Sequence, residues 1–102
     1  MSDNDKLVQF KKIGDNLQWV YRYENDIGAS IIFNKYSYGR EDGLFEIATI
    51  KFYGENNDLF TPVEGIIDYM PSGIKGYCTF SDISYILDDI RKVSKHAKTL
   101  DK

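Results

Sequence analysis

The chain has 102 residues, a single cysteine and a formal net charge of −3, which suits one domain with its own core and excludes an internal disulfide framework. Hydrophobic residues make up 42% and aromatics 15% (eight Tyr, six Phe, one Trp), too much bulky material for a disordered polymer. The first apolar run is only Leu7 and Val8 with charges close by, so neither a signal peptide nor a membrane span is expected, and the chain reads as cytoplasmic.

Residues 1–102 are read as one domain, with the polar residues 1–5 expected to fray. Residues 6–13 form a first strand or, as the rival reading, a short helical turn; as a strand, Val8 and Phe10 share one face and Leu7 and Ile13 the other. Gly14, Asp15 and Asn16 turn the chain. Residues 17–24 alternate, with Leu17, Trp19, Tyr21 and Tyr23 facing one way and Gln18, Val20, Arg22 and Glu24 the other. A second turn follows, in which Gly28 is expected to supply a positive φ. Residues 29–38 form the next strand, then a polar loop from Gly39 to Gly43 leads into residues 44–53. That strand carries apolar residues on both faces, as a central strand covered from two sides does.

Pro62 bars a central strand position, so 59–67 is an edge strand or an irregular return. Residues 76–80 supply a short strand before the last element, 81–100. There Ile83, Ile86, Leu87, Ile90, Val93 and Ala97 recur at three- and four-residue steps and stack on one side of a helix. Thr79 or Ser81 serves as its N-cap; Thr79 places Asp82 where a capping box needs an acid. The pattern specifies an α+β domain: an antiparallel meander of four or five strands with one C-terminal helix packed on one face, meeting Trp19, Ile31, Phe33, Ile47 and Ile50.

Charge is unevenly spread. Residues 1–40 carry six bases against five acids and residues 71–102 six against four, whereas 41–70 hold seven acids against Lys51 alone, a net −6. Catalysis needs a nucleophile or base, an orienting partner and a polarising group. The single histidine, His96, stands among lysines at the helix end; Cys78 sits between aromatics; Asp88 and Asp89 diverge around the helix, with Lys92 in reach of both. No Cys, His and carboxylate spacing matches a metal site and no glycine-rich loop matches a phosphate cradle, so no catalytic residue, metal or cofactor is assigned.

Two resemblances accompany these residues. A meander of four strands followed by one helix resembles the unit of the Whirly-like single-strand-binding proteins, in pattern alone. The run Gly76-Tyr77-Cys78-Thr79-Phe80-Ser81-Asp82-Ile83, continued by Ile86, Leu87 and Ile90, is similar to the ends of small phage and mobile-element proteins of low-GC bacteria, and abundant Ile, Lys, Asn, Asp and Tyr fits an AT-rich genome. It covers about a quarter of the chain and implies a class, that of small accessory, inhibitor or immunity proteins.

The leading expectation is therefore a non-catalytic protein-binding module that meets a basic partner through Glu41, Asp42, Glu46, Glu55 and Asp58, with Tyr38 and Tyr53 as aromatic anchors. The alternative is a single-stranded nucleic-acid binder using Arg22, Tyr36 and Lys51, which the acidic block disfavours. A homo-oligomer through an exposed 59–67 edge is open, although Pro62 and Glu64 discourage it.

Overall fold

The computed structural model describes residues 6–34 and 40–97. β1 (Leu7–Ile13), β2 (Asn16–Arg22), β3 (Ile27–Phe33), β4 (Phe45–Phe52) and β5 (Phe60–Pro62) form an antiparallel meander in sequence order. A sixth strand, β6 (Ile74–Cys78), also pairs with β4. The far edge of β4 is thus shared: β5 pairs with Ile50, Lys51 and Phe52, and β6 with Phe45, Ile47 and Ala48. Pro62 ends β5 on the outside of the sheet, where its missing N–H costs no ladder bond.

Thr49 closes the gap between the two short strands. Its N–H donates to the Gly73 carbonyl at 2.8 Å, its own carbonyl receives the Val63 N–H at 3.0 Å, and its buried hydroxyl donates to the Val63 carbonyl at 2.7 Å. The 63–73 return is thereby tied to the central strand even though it contains no strand of its own.

Among the described residues the single α-helix, α1 (Phe80–Ser94), begins in a complete capping box. The Thr79 N–H donates to the Asp82 carboxylate at 2.9 Å and the Asp82 N–H to the Thr79 hydroxyl at 3.1 Å. Ile83, Ile86, Leu87 and Ile90 are buried against Ile31 and Ile47, with Trp19, Phe33 and Val93 packed at the margin. Each fully buried aliphatic side chain contributes about 1.5–3 kcal/mol. The helix runs along the strands, from Phe45 at one end of the sheet to the β2–β3 turn at the other, and lies chiefly over β3, β4 and β6.

Four expectations are corrected. The helix stops at Ser94 instead of running to 100, because Asn25 Nδ2 donates to the Ser94 carbonyl at 2.6 Å and the His96 N–H turns back to Val93; residues 98–100 lie outside the described part. Ile50 faces away from the helix, in a second small core with Val20 and Phe52, since strand alternation puts it opposite Phe45 and Ile47. A bulge between Leu7 and Gln9 moves Val8 to that second core, while Leu7 and Phe10 share the helix side.

Gly28 does not take a positive φ. Asn25 (59°) and Asp26 (61°) do, and Gly28 lies inside β3, where a Cβ would collide with the Tyr21 carbonyl oxygen and come within 2.9 Å of Phe52 Cε1. Among the described residues no helix is long and apolar enough to cross a membrane.

Candidate functional site

Five neighbouring strands at about 4.8 Å spacing span some 19 Å, and one helix is only about 10 Å across. A lone helix placed over β3, β4 and β6 therefore leaves part of the β1–β2 side of the same face open: Tyr21, with Leu7 opposite it, is buried in the helix–sheet core, whereas Phe10 toward the other end is half exposed. Cross-strand register brings two rows of side chains there: Phe10 opposite Trp19, and Lys12 opposite Leu17, which in turn lies opposite Phe33.

The result is an open groove of about 490 Å³ lined by Leu17, Trp19, Phe33, Gly43, Leu44, Phe45, Thr79 and Phe80. Its rings form a continuous set. Phe10 and Trp19 have centroids 5.4 Å apart, Trp19 and Phe45 5.8 Å, Phe33 and Phe45 5.5 Å, and Phe45 and Phe80 4.9 Å. Phe80 remains 64% exposed and Phe10 50%, although both are apolar and each rests against another ring of the set. Phe80 continues the helix stripe by one step beyond Ile83 and Leu87 and rests on Phe45 at the end of β4. Glu41 and Asp42, in a 3-10 turn directly before Gly43, are both exposed at this end. The β1–β2 turn, with exposed Asp15, lies at the same end of the meander.

The acidic block does not form one surface. Glu41 and Asp42 precede β4, while Tyr53, Glu55 and Asp58 follow it, seven residue steps or about 23 Å away at strand rise. Tyr53 is exposed at that far end, and Asp58 folds back on β1, where it accepts from Gln9 Nε2 and pairs with Lys11 Nζ at 3.8 Å. Glu46 is half-buried on the face opposite the helix and has a partner within the fold. Tyr38 and Tyr36 lie outside the described residues.

Arg22 and Lys51, paired in the nucleic-acid alternative, face opposite sides of the sheet. Lys51 stands opposite Ile27, a helix-side core residue. Arg22 lies on the other face, its side chain 17% exposed and its guanidinium 4.6 Å from the Phe52 ring centre. The same guanidinium donates to Asn57 Oδ1 at 2.9 Å, Asp26 at 2.7 Å and the Gly54 carbonyl at 2.5 Å. It pins the 53–59 connection onto the second core, and charge-assisted bonds of that kind are strong.

Of the remaining chemical candidates, Cys78, Asp88 and Asp89 are held within the fold. Cys78 is buried and burial pushes its thiol pKa up, which disfavours the reactive thiolate. Asp88 pairs with Arg91 at 2.6 Å and Lys92 at 3.0 Å, and these bonds hold its carboxyl below the ordinary value. Asp89 accepts from the Tyr69 hydroxyl at 2.6 Å, and His96 is exposed beyond the helix end. Among the described residues no group of three or more His, Cys, Asp or Glu could hold a metal ion.

The groove does not follow from the sequence pattern, which puts Trp19 and Phe33 both beneath the helix. The available signal is one of width: one helix about 10 Å across cannot cover every aromatic on that face. Comparison with protein-family models, with curated proteins and with solved structures gives no match.

Proposed function

We propose that the protein is a small non-catalytic protein-binding module, of the inhibitor or immunity kind found among phage and mobile-element accessory proteins, and that it takes a partner with a basic surface. The observation that carries this reading is the open aromatic groove with Glu41 and Asp42 beside its Gly43 end. Exposed contiguous aromatics are costly to leave in water and mark interaction sites. Aromatic anchors with two exposed acids beside one end suit a partner that brings apolar side chains and, at that end, opposite charge. The acidic contact is thus narrowed from the whole 41–58 run to its first pair.

The test is capture of a partner from bacterial lysate on the immobilised protein, washed with rising NaCl. A partner that is released as salt rises, and that is lost from the Glu41→Lys, Asp42→Lys double variant while the Glu55→Lys, Asp58→Lys variant retains it, supports the reading. Capture indifferent to salt and to both charge reversals overturns it. So does tight binding of labelled single-stranded oligonucleotides in fluorescence anisotropy, which would favour nucleic acid instead.

A further inference from the structure

Resting on that reading, we infer that the element the partner places in the groove is an amphipathic helix, laid over Leu17, Trp19 and Phe33 at the N-terminal end of α1 with its basic residues toward Glu41 and Asp42. Three features of the fold converge on this occupant. The first is space. The sheet face is about twice as wide as a helix, α1 does not cover all of it, and the open end presents Leu17, Trp19 and, beside them, Phe10, with Phe80 as its wall, while Tyr21 further along is already buried. A second helix there would complete the layer that α1 begins, burying apolar surface against both the sheet and the first helical residue of α1.

The second feature is the sheet edge, the rival mode of recognition. An added strand would have to pair with β1, but β1 is interrupted by the bulge between Leu7 and Gln9, and the exposed Lys6, Lys11 and Lys12 stand along it. Bulges and lysines are what discourage edge pairing. The face is open where the edge is guarded.

The third is charge. Asp15, Glu41 and Asp42 are gathered at one end of the groove by the β1–β2 and β3–β4 connections. A second copy of this chain would bring the same excess of acid to the interface, Asp15, Glu41 and Asp42 against Lys12 on that face. A partner with basic residues meets no such penalty.

Trp19, the only tryptophan, lines the groove and reports its occupancy. The probes are three peptides: one of leucine and lysine with leucines at helical period, one of the same composition with strict alternation, and one of lysine alone. The helical-period peptide is expected to bind saturably and move Trp19 emission to shorter wavelength, at least tenfold more tightly than the other two. Binding should weaken several-fold in Glu41→Lys, Asp42→Lys and not in Glu55→Lys, Asp58→Lys. Phe80→Ser should weaken it tenfold or more, and Phe10→Ser, at a half-exposed edge position, provides a second test if the first variant loosens the helix start.

Equal binding of the alternating peptide, or an unmoved Trp19 emission, overturns the helical occupant. If a partner is nevertheless captured with the salt and Glu41, Asp42 dependence described above, the binding module stands and only its occupant is wrong; loss of both results overturns both. A concentration-dependent dimer abolished by Phe80→Ser would put a second copy in the groove and also overturn the inference.

Discussion

Replacing Gly28 by alanine adds one carbon where two strands and a core ring already meet. Gly28 pairs with Arg22 of β2 and Ile50 of β4, and a Cβ there would have the Tyr21 carbonyl oxygen and Phe52 Cε1 both within the 3.0 Å that Cβ atoms do not cross. Neither neighbour can yield alone. The oxygen belongs to a ladder strand, and Phe52 is wedged between the Phe60 ring at 5.4 Å and the Arg22 guanidinium at 4.6 Å. β2 and β3 must separate locally, which loosens about two hydrogen bonds at roughly 1 kcal/mol each. Overpacking adds about 1–3 kcal/mol, for a total of about 3–5 kcal/mol against a typical domain stability of about 5–15 kcal/mol.

Gly14 is the control. It has φ +61° and nothing within 4 Å of the position a Cβ would take, so alanine there costs only the left-handed conformation, about 1–2 kcal/mol. Urea unfolding followed by Trp19 fluorescence, with both variants fitted at a common slope, measures the difference. A Gly28→Ala loss below about 1 kcal/mol, or one no larger than that of Gly14→Ala, would refute the steric reasoning.

Other consequences follow from single contacts. Ile86→Ala empties the centre of the helix–sheet core and should cost about 2–5 kcal/mol in the same assay; a loss below about 1 kcal/mol would mean that α1 is not packed as described. Thr49→Val keeps the shape and removes the hydroxyl donated to Val63, at about 1–3 kcal/mol, and amide exchange of Val63 should quicken as the 63–73 return loosens. Thr79→Ala removes the cap at a cost of about 0.5–2 kcal/mol. Thr79 also holds the folded Asp82 carboxyl below its ordinary 3.8, so that contribution is complete above about pH 4 and is lost as pH falls through the folded value. The largest cause is the Thr79 backbone N–H, which alanine keeps, so Asp82→Asn is the variant that should melt with a flatter acid limb than the parent, and an unchanged limb there would contradict the capping role.

The strands and helix are legible because their periods are local properties. Leu17, Trp19 and Tyr21 alternate within one strand, and Ile83, Ile86, Leu87 and Ile90 recur within one helix, so each element declares its apolar side without reference to the rest. What depends on two strands at once is harder to read. The bulge at β1 inserts a residue that no period of two can show, and it sends Val8 to the face opposite Phe10. Gly28 has the look of a turn glycine because it follows Asn25 and Asp26, yet those two residues tolerate the left-handed turn themselves and the glycine serves a close approach between strands. Hydrophobicity alone places Ile50 beneath the helix, whereas its parity relative to Ile47 sends it to the other side.

The candidate site is less legible for a geometric reason. The acids of 41–58 are neighbours in sequence, but β4 runs through the middle of that segment and carries its two ends apart. The aromatics of the groove come from β1, β2, β3, β4 and α1 and are scattered along the chain from Phe10 to Phe80; only register and the position of the helix unite them.

Amide chemical-shift mapping of the protein with its captured partner is the most direct measurement of where recognition occurs. The account predicts perturbations concentrated at Phe10, Leu17, Trp19, Phe33, Leu44 and Phe80 and extending to Glu41 and Asp42, with the 53–59 connection unaffected. Perturbations centred on Tyr53, Glu55 and Asp58 or on the face carrying Arg22, with the groove silent, would contradict it.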